Sequence, residues 1–128
     1  MRGMNRVILV GNAGGEPIVR VLTDGVEVAR VSIASTDIFR RKDGSQAADT
    51  QWHTVIFWRG LAGLVNRYVR KGSQLLVEGR IRYRKYEDKE GASRYVTEIL
   101  ADRLLLLDRN LSGESDGDHA LSAEDLPL

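Results

Sequence analysis

Only one stretch of this chain carries helical periodicity. Leu61, Leu64, Val65, Tyr68 and Val69 recur at i, i+3, i+4, i+7 and i+8, which places them on one apolar helix face. Arg67, Arg70 and Lys71 crowd the C-terminal end of that helix, where positive charge complements the macrodipole, and Gly72 supplies a left-handed stop. The remaining apolar stretches lack this phase and are rich in β-branched and aromatic residues, so they read as strands. An all-β fold with a single helical insertion is what this pattern permits.

Arg6 to Val10 is apolar on successive positions and reads as a strand buried on both faces, broken by Gly11-Asn12-Ala13-Gly14-Gly15. Ile18 to Leu22 continues as extended chain to the turn pair Asp24-Gly25, a hairpin signal. Val26 to Ser35 is the next strand. Val26 and Val28 fall in one parity and Val31 and Ile33 in the other, a phase slip that predicts a bulge near Ala29-Arg30. Asp37 to Thr50 is polar, with Asp43-Gly44 as a turn signal, and forms either a flexible loop or a protruding hairpin. Gln51 to Arg59 is a third strand, and after the helix come Gln74 to Tyr86 and Arg94 to Leu107, joined by Glu87-Asp88-Lys89-Glu90-Gly91. Strand, strand, strand, helix, strand, strand is the plan of a five-stranded oligonucleotide-binding (OB) barrel with its helix between strands 3 and 4. Residues 1–110 are expected to form that domain and 111–128, polar and Gly-rich, a disordered acidic tail.

The net charge of +1 conceals a segregation. Residues 1–110 hold all nineteen Lys and Arg against thirteen Asp and Glu, a net of +6, whereas 111–128 hold five acids and no Lys or Arg. The body attracts polyanions, and the tethered tail competes for the same surface. With no cysteine there is no disulfide, thiolate nucleophile or thiolate metal site, which fits a cytoplasmic setting. His53 and His119 are far apart in sequence and in no ligand spacing, so no metal and no cofactor are expected. The glycine cluster lacks the Gly-Lys-Ser/Thr ending of a phosphate loop and Gly-x-Ser-x-Gly is absent, so catalytic residues are not expected either. No apolar run reaches the roughly 18 residues of a membrane-spanning helix, and the N-terminus carries no secretion signal.

Binding an unpaired strand needs a cationic track for phosphates and aromatic faces for bases. Arg40, Arg41 and Lys42 follow Phe39, Arg59 follows Trp58, and Arg82, Arg84 and Lys85 interleave with Tyr83 and Tyr86. Alternation sends Arg82, Arg84 and Tyr86 to one face of their strand and Tyr83 and Lys85 to the other. Taken singly, Trp52 and Trp58 read as core and Arg82 and Arg84 as a solvated face, so the constellation carries the signal. Two other classes fit a small barrel: a protein-docking module, and a nuclease, for which no compact Asp/Glu cluster is visible.

Several ordered motifs resemble the bacterial-type single-stranded DNA-binding proteins (SSB family): Asn5-Arg6-Val7-Ile8-Leu9-Val10-Gly11-Asn12, Trp52-His53, Tyr68-Val69-Arg70-Lys71-Gly72-Ser73, Val77-Glu78-Gly79 and Arg94-Tyr95-Val96-Thr97-Glu98. The resemblance spans residues 3–107. It implies a homotetrameric OB barrel that holds single-stranded DNA without strong sequence preference during replication, recombination and repair. By that resemblance Phe39, Trp52, Trp58 and Tyr86 stack on bases, with Phe39 and Tyr86 standing where the family often has tryptophan and Trp58 where it commonly has phenylalanine. Arg2, Arg6, Arg59, Arg70, Lys71, Arg82, Arg84 and Lys85 match phosphate contacts, and His53 matches a subunit-interface residue. Family tails end in an acidic tip closing on Asp-Ile-Pro-Phe that docks replication and repair proteins. Here the tip is Ala123-Glu124-Asp125-Leu126-Pro127-Leu128, with a shorter linker and Leu128 in place of the ring, so it is either an altered docking tip or a solubilising end.

Overall fold

A computed structural model describes residues 2–107 and 119–122. The elements are β1 (Val7–Ala13), β2 (Ile18–Val21), β3 (Glu27–Arg40), β4 (Gln46–Trp58), α1 (Gly60–Tyr68), β5 (Gln74–Glu87), β6 (Ser93–Leu106) and β7 (His119–Ser122). The sheet runs β1-β5-β6-β4-β3 and closes when β3 returns to β1 at Asn12–Ala34 and Ala13–Ile33. The junction of β6 with β4 is parallel and short, at Val55–Ile99 and Ile56–Leu100. These five strands form the expected OB barrel, with β2 added on β3 and β7 on β6.

The barrel interior is filled by alternate residues of the strands: Leu9 from β1, Ala29, Val31 and Ile33 from β3, Val55 and Phe57 from β4, Leu75 and Val77 from β5. The helix closes the barrel with Leu61, Ala62 and Val65, and Val69 follows as its C-cap. The apolar face read from the sequence is the face that packs. Gly72 has φ 90°, the left-handed stop, and its N–H donates to Ala13 O, so the helix exit is tied to the end of β1.

Three local expectations change. β1 alternates between buried and exposed residues, with Ile8 and Val10 on the outside, so it is half-covered and not buried on both faces. It also continues through Gly11 to Ala13. Gly11 packs so closely across β3 that a Cβ there would lie 2.2 Å from Ala34 O, a packing reason for a glycine inside a strand. The bulge expected near Ala29-Arg30 is absent, because β3 pairs β4 without interruption from Val28–Trp58 to Arg40–Gln46. Ala29 itself holds the inward position, a small residue that a search for large apolar side chains passes over. The register shift lies instead between Glu78 and Gly79, where Glu78 pairs Arg103 and Gly79 pairs Ala101.

The stretch Asp37 to Thr50 is a protruding hairpin: β3 and β4 remain paired to Arg40–Gln46, and the turn is closed by Arg41 N–H on Ser45 O. β5 and β6 project similarly as far as Glu87–Ser93. Within the stretch expected to be disordered, His119–Ser122 pairs antiparallel with Arg103–Leu106 of β6. Glu124, Asp125, Leu126, Pro127 and Leu128 lie outside the described residues.

Candidate nucleic-acid interface

The period of two along β4 sends Trp52, Thr54, Ile56 and Trp58 to its outer face, since Val55 and Phe57 point into the core. Trp52 and Trp58 are six residues apart, roughly 20 Å along the strand. Trp52 is 62% exposed and Trp58 37%. Register places the neighbours between them: Val28 and Arg20 form one row with Trp58, and Arg30 and Ile18 the next row with Ile56. The depression beside Trp58 holds about 300 Å³ and is lined by Arg20, Arg30, Arg82, Arg84 and Glu98 around an apolar floor of Ile18, Val28 and Ile56. A second hollow, with Gly15, Glu16, Ser32 and Thr54, shares Ile18 and Arg30 with the first, so one groove runs along the outer face toward Trp52. At its far end the Trp52 ring packs on Gly14, where a Cβ would lie 2.3 Å from Trp52 Cζ3.

At the Trp58 end sits a buried carboxylate. Glu98 is only 3% exposed and lies opposite Arg82 in the β5–β6 register. Arg82 Nη2 donates to Glu98 Oε1 at 3.1 Å; Arg84 donates from Nε to Oε1 at 3.3 Å and from Nη2 to Oε2 at 3.1 Å. The Arg84 hydrogen bonds, joined by that of Arg82, hold the Glu98 carboxyl below the usual carboxylate range against the opposing effect of burial. The same pairing raises Arg84 above its ordinary value. With Arg20 and Arg30 the groove carries four arginines around that acid, a field suited to a polyanion.

A match to the single-strand binding protein family covers residues 4–107. The chain belongs to that family. Membership places it among binding proteins, not enzymes. It is 41% identical over 130 residues to single-stranded DNA-binding protein 1 of Xylella fastidiosa strain 9a5c, covering 98% of this chain and 96% of that protein. To a single-stranded DNA-binding protein of the Temecula1 strain it is 43% identical, over 91% of this chain and 68% of the relative. Among solved structures, an SSB of Plasmodium falciparum in complex with single-stranded DNA superposes with a TM-score of 0.74 at 28% identity, covering 84% of this chain and 98% of that one.

The groove gathers some of the residues expected from sequence and not others. Arg82, Arg84 and Trp58 meet in it, and Tyr86, 44% exposed, follows on the same face of β5. Phe39, 49% exposed, sits near the tip of the β3–β4 ribbon in the opposite parity to Trp52 and Trp58, with Arg40, Arg41 and Lys42 at the turn. Lys85 occupies the other face of β5, its Nζ 6.0 Å from the Tyr95 ring. Arg6 pairs with Glu78, which also faces Arg103, away from the groove. Arg70 bends back on the helix end, donating to the carbonyls of Asn66, Arg67 and Val69. Arg2, Arg59 and Lys71 are exposed and do not line it; Arg59, with φ 58°, turns the chain from β4 into α1. His53 is half-buried, 2.9 Å from Ser35 Oγ through Nε2. Among the described residues no three His, Asp or Glu side chains converge as a metal set, and no helix is long and apolar enough to cross a membrane.

Arg20, Arg30 and Glu98 were not singled out as site residues by sequence reasoning. Arg20 and Arg30 are lone cations in β-rich runs, and only the β2–β3–β4 register brings them beside Trp58. Their shared outward parity was the available signal.

Proposed function

We propose that this chain binds single-stranded DNA along the groove between Trp58 and Trp52, without sequence preference and without turning it over. The observation that carries this reading is the placement of four arginines on the same outer face as two exposed tryptophans. Bases stack on the rings, which accept any base, and phosphates pair with the guanidinium groups. Tyr86 extends the stacking path onto the β5–β6 ribbon, and Phe39, on the opposite face of the β3–β4 ribbon from the tryptophans, continues it around the ribbon tip, with Arg40, Arg41 and Lys42 as its cationic margin. Duplex DNA, whose bases face inward, offers only its phosphates to such a surface. The fluorescence of Trp52 and Trp58 tests this: titration with oligo-dT at low salt should quench it, and absence of quenching would sink the stacking role.

In the same reading residues 1–110 form the binding domain and 111–128 an acidic tail. The protein covers exposed strands during replication, recombination and repair in the cytoplasm, as a homotetramer. Support for self-association comes from β1, where Ile8 and Val10 are exposed and, among the described residues, Val7 to Gly11 pair only with β5, which leaves an open strand edge there. His53 belongs to the subunit contacts in this assembly. The tip Glu124-Asp125-Leu126-Pro127-Leu128 docks replication and repair proteins through its charge and its apolar end.

A further inference from the structure

The geometry points to Glu98 as a positioning residue that holds Arg82 and Arg84 as a fixed pair beside Trp58. This rests on the reading that the groove binds single-stranded DNA. An acid in a groove for a polyanion opposes binding if charge alone is counted. Glu98, however, is buried where the strand cannot touch it freely, and its two oxygens take three N–H bonds from the two guanidinium groups. The arginine side chains are themselves about half exposed, 41% and 51%. Without an anchor, two long flexible side chains in that setting sample many rotamers, and each must be ordered afresh when a strand binds. Anchored, they present their exposed N–H donors in one place, Arg82 Nε alone being buried, and three charges still balance to a net of +1 at this point. Arg20 and Arg30 make no ion pair among the described residues, so the two sides of the groove differ: one pair is held and the other is free to adapt.

The replacement Glu98→Gln separates positioning from charge, because the two predict opposite signs. Glutamine keeps one acceptor oxygen but turns an NH₂ toward donors, so it cannot serve both arginines. Loss of a negative charge alone would tighten binding and steepen its salt dependence. Loss of positioning should weaken binding of an oligo-dT by about five- to tenfold, with no steeper salt slope. Glu16→Gln is the matched control: Glu16 lines the same groove, and among the described residues its carboxylate takes only the Lys71 backbone N–H, so this variant should bind somewhat more tightly. Thermal melts confirm folding at the assay temperature. Should Glu98→Gln not fold, Glu98→Asp keeps the charge but shortens the reach, and weaker binding by that variant is likewise expected. If the wild type binds and the folded Glu98 variant binds as tightly or more tightly, the inference fails while the groove reading stands. If the wild type itself fails to bind oligo-dT, the groove reading falls first.

Discussion

Replacing Trp58 and Arg84 separately by alanine should weaken DNA binding in two ways that salt tells apart. Stacking on an aromatic ring contributes about 1 to 3 kcal/mol per base. Trp58 is the least exposed of the four rings, 37%, and offers little more than one face. The lower half of the range then applies, and Trp58→Ala should raise Kd by roughly 5- to 30-fold. That factor should be the same at low and high salt, because no counterion is released by a stacked ring. Arg84→Ala removes one phosphate partner, which flattens the slope of log K against log salt by about 0.7 for a single strand. Between about 50 and about 200 mM salt, a fourfold change, the penalty of this variant should shrink by about 2.6-fold. Arg84 also supplies two of the three hydrogen bonds on Glu98, so its loss uncovers a carboxylate toward the strand and adds to the penalty. Anisotropy of a labelled oligo-dT, titrated at the two salt concentrations, reads both quantities. Equal salt dependence of the two penalties would refute the division between ring and cation.

Three further outcomes follow from the packing. Gly14→Ala should shift tryptophan emission and lower affinity while changing stability by no more than about 0.5 kcal/mol, because the clashing group is the movable ring of Trp52; an unchanged spectrum would contradict the contact. Gly79→Ala should cost at least about 2 kcal/mol in urea unfolding, since its Cβ would lie 2.2 Å from the Leu100 carbonyl oxygen, which is backbone and cannot swing aside; a neutral result would contradict the bulge geometry. Glu98, with its folded pKa lowered chiefly by Arg84, contributes stability above the ordinary value of 4.5 and loses it as pH falls through the lowered folded value. The wild-type melting temperature should therefore drop more steeply below that pH than that of Glu98→Gln, and parallel curves would deny the linkage.

The order of elements was legible because the helix alone has a 3.6-residue phase and the turns are marked by Asp-Gly pairs and Gly72. Ala29 hid the continuity of β3, since inward burial there is achieved by a side chain with little hydrophobic signal. Gly11 looked like punctuation, although its role is to let β1 approach β3. Trp58 with Arg82 and Arg84 could be named as a constellation from spacing alone. The arrangement around them could not, because Arg20, Arg30 and Glu98 arrive from strands distant in sequence and meet only through cross-strand register. Nor does composition reveal which cations are already engaged: Arg6 on Glu78 and Arg70 on the helix carbonyls look the same in sequence as Arg20 and Arg30.

Ultraviolet cross-linking of a bound oligonucleotide carrying 5-iodouracil, followed by peptide mass spectrometry, asks directly which side chains lie under the bases. Adducts on Trp52 and Trp58, reduced in Glu98→Gln, are the predicted result. Adducts confined to Tyr68, Tyr83 or Tyr95, with both tryptophans unmodified, would show that the strand runs elsewhere on the barrel.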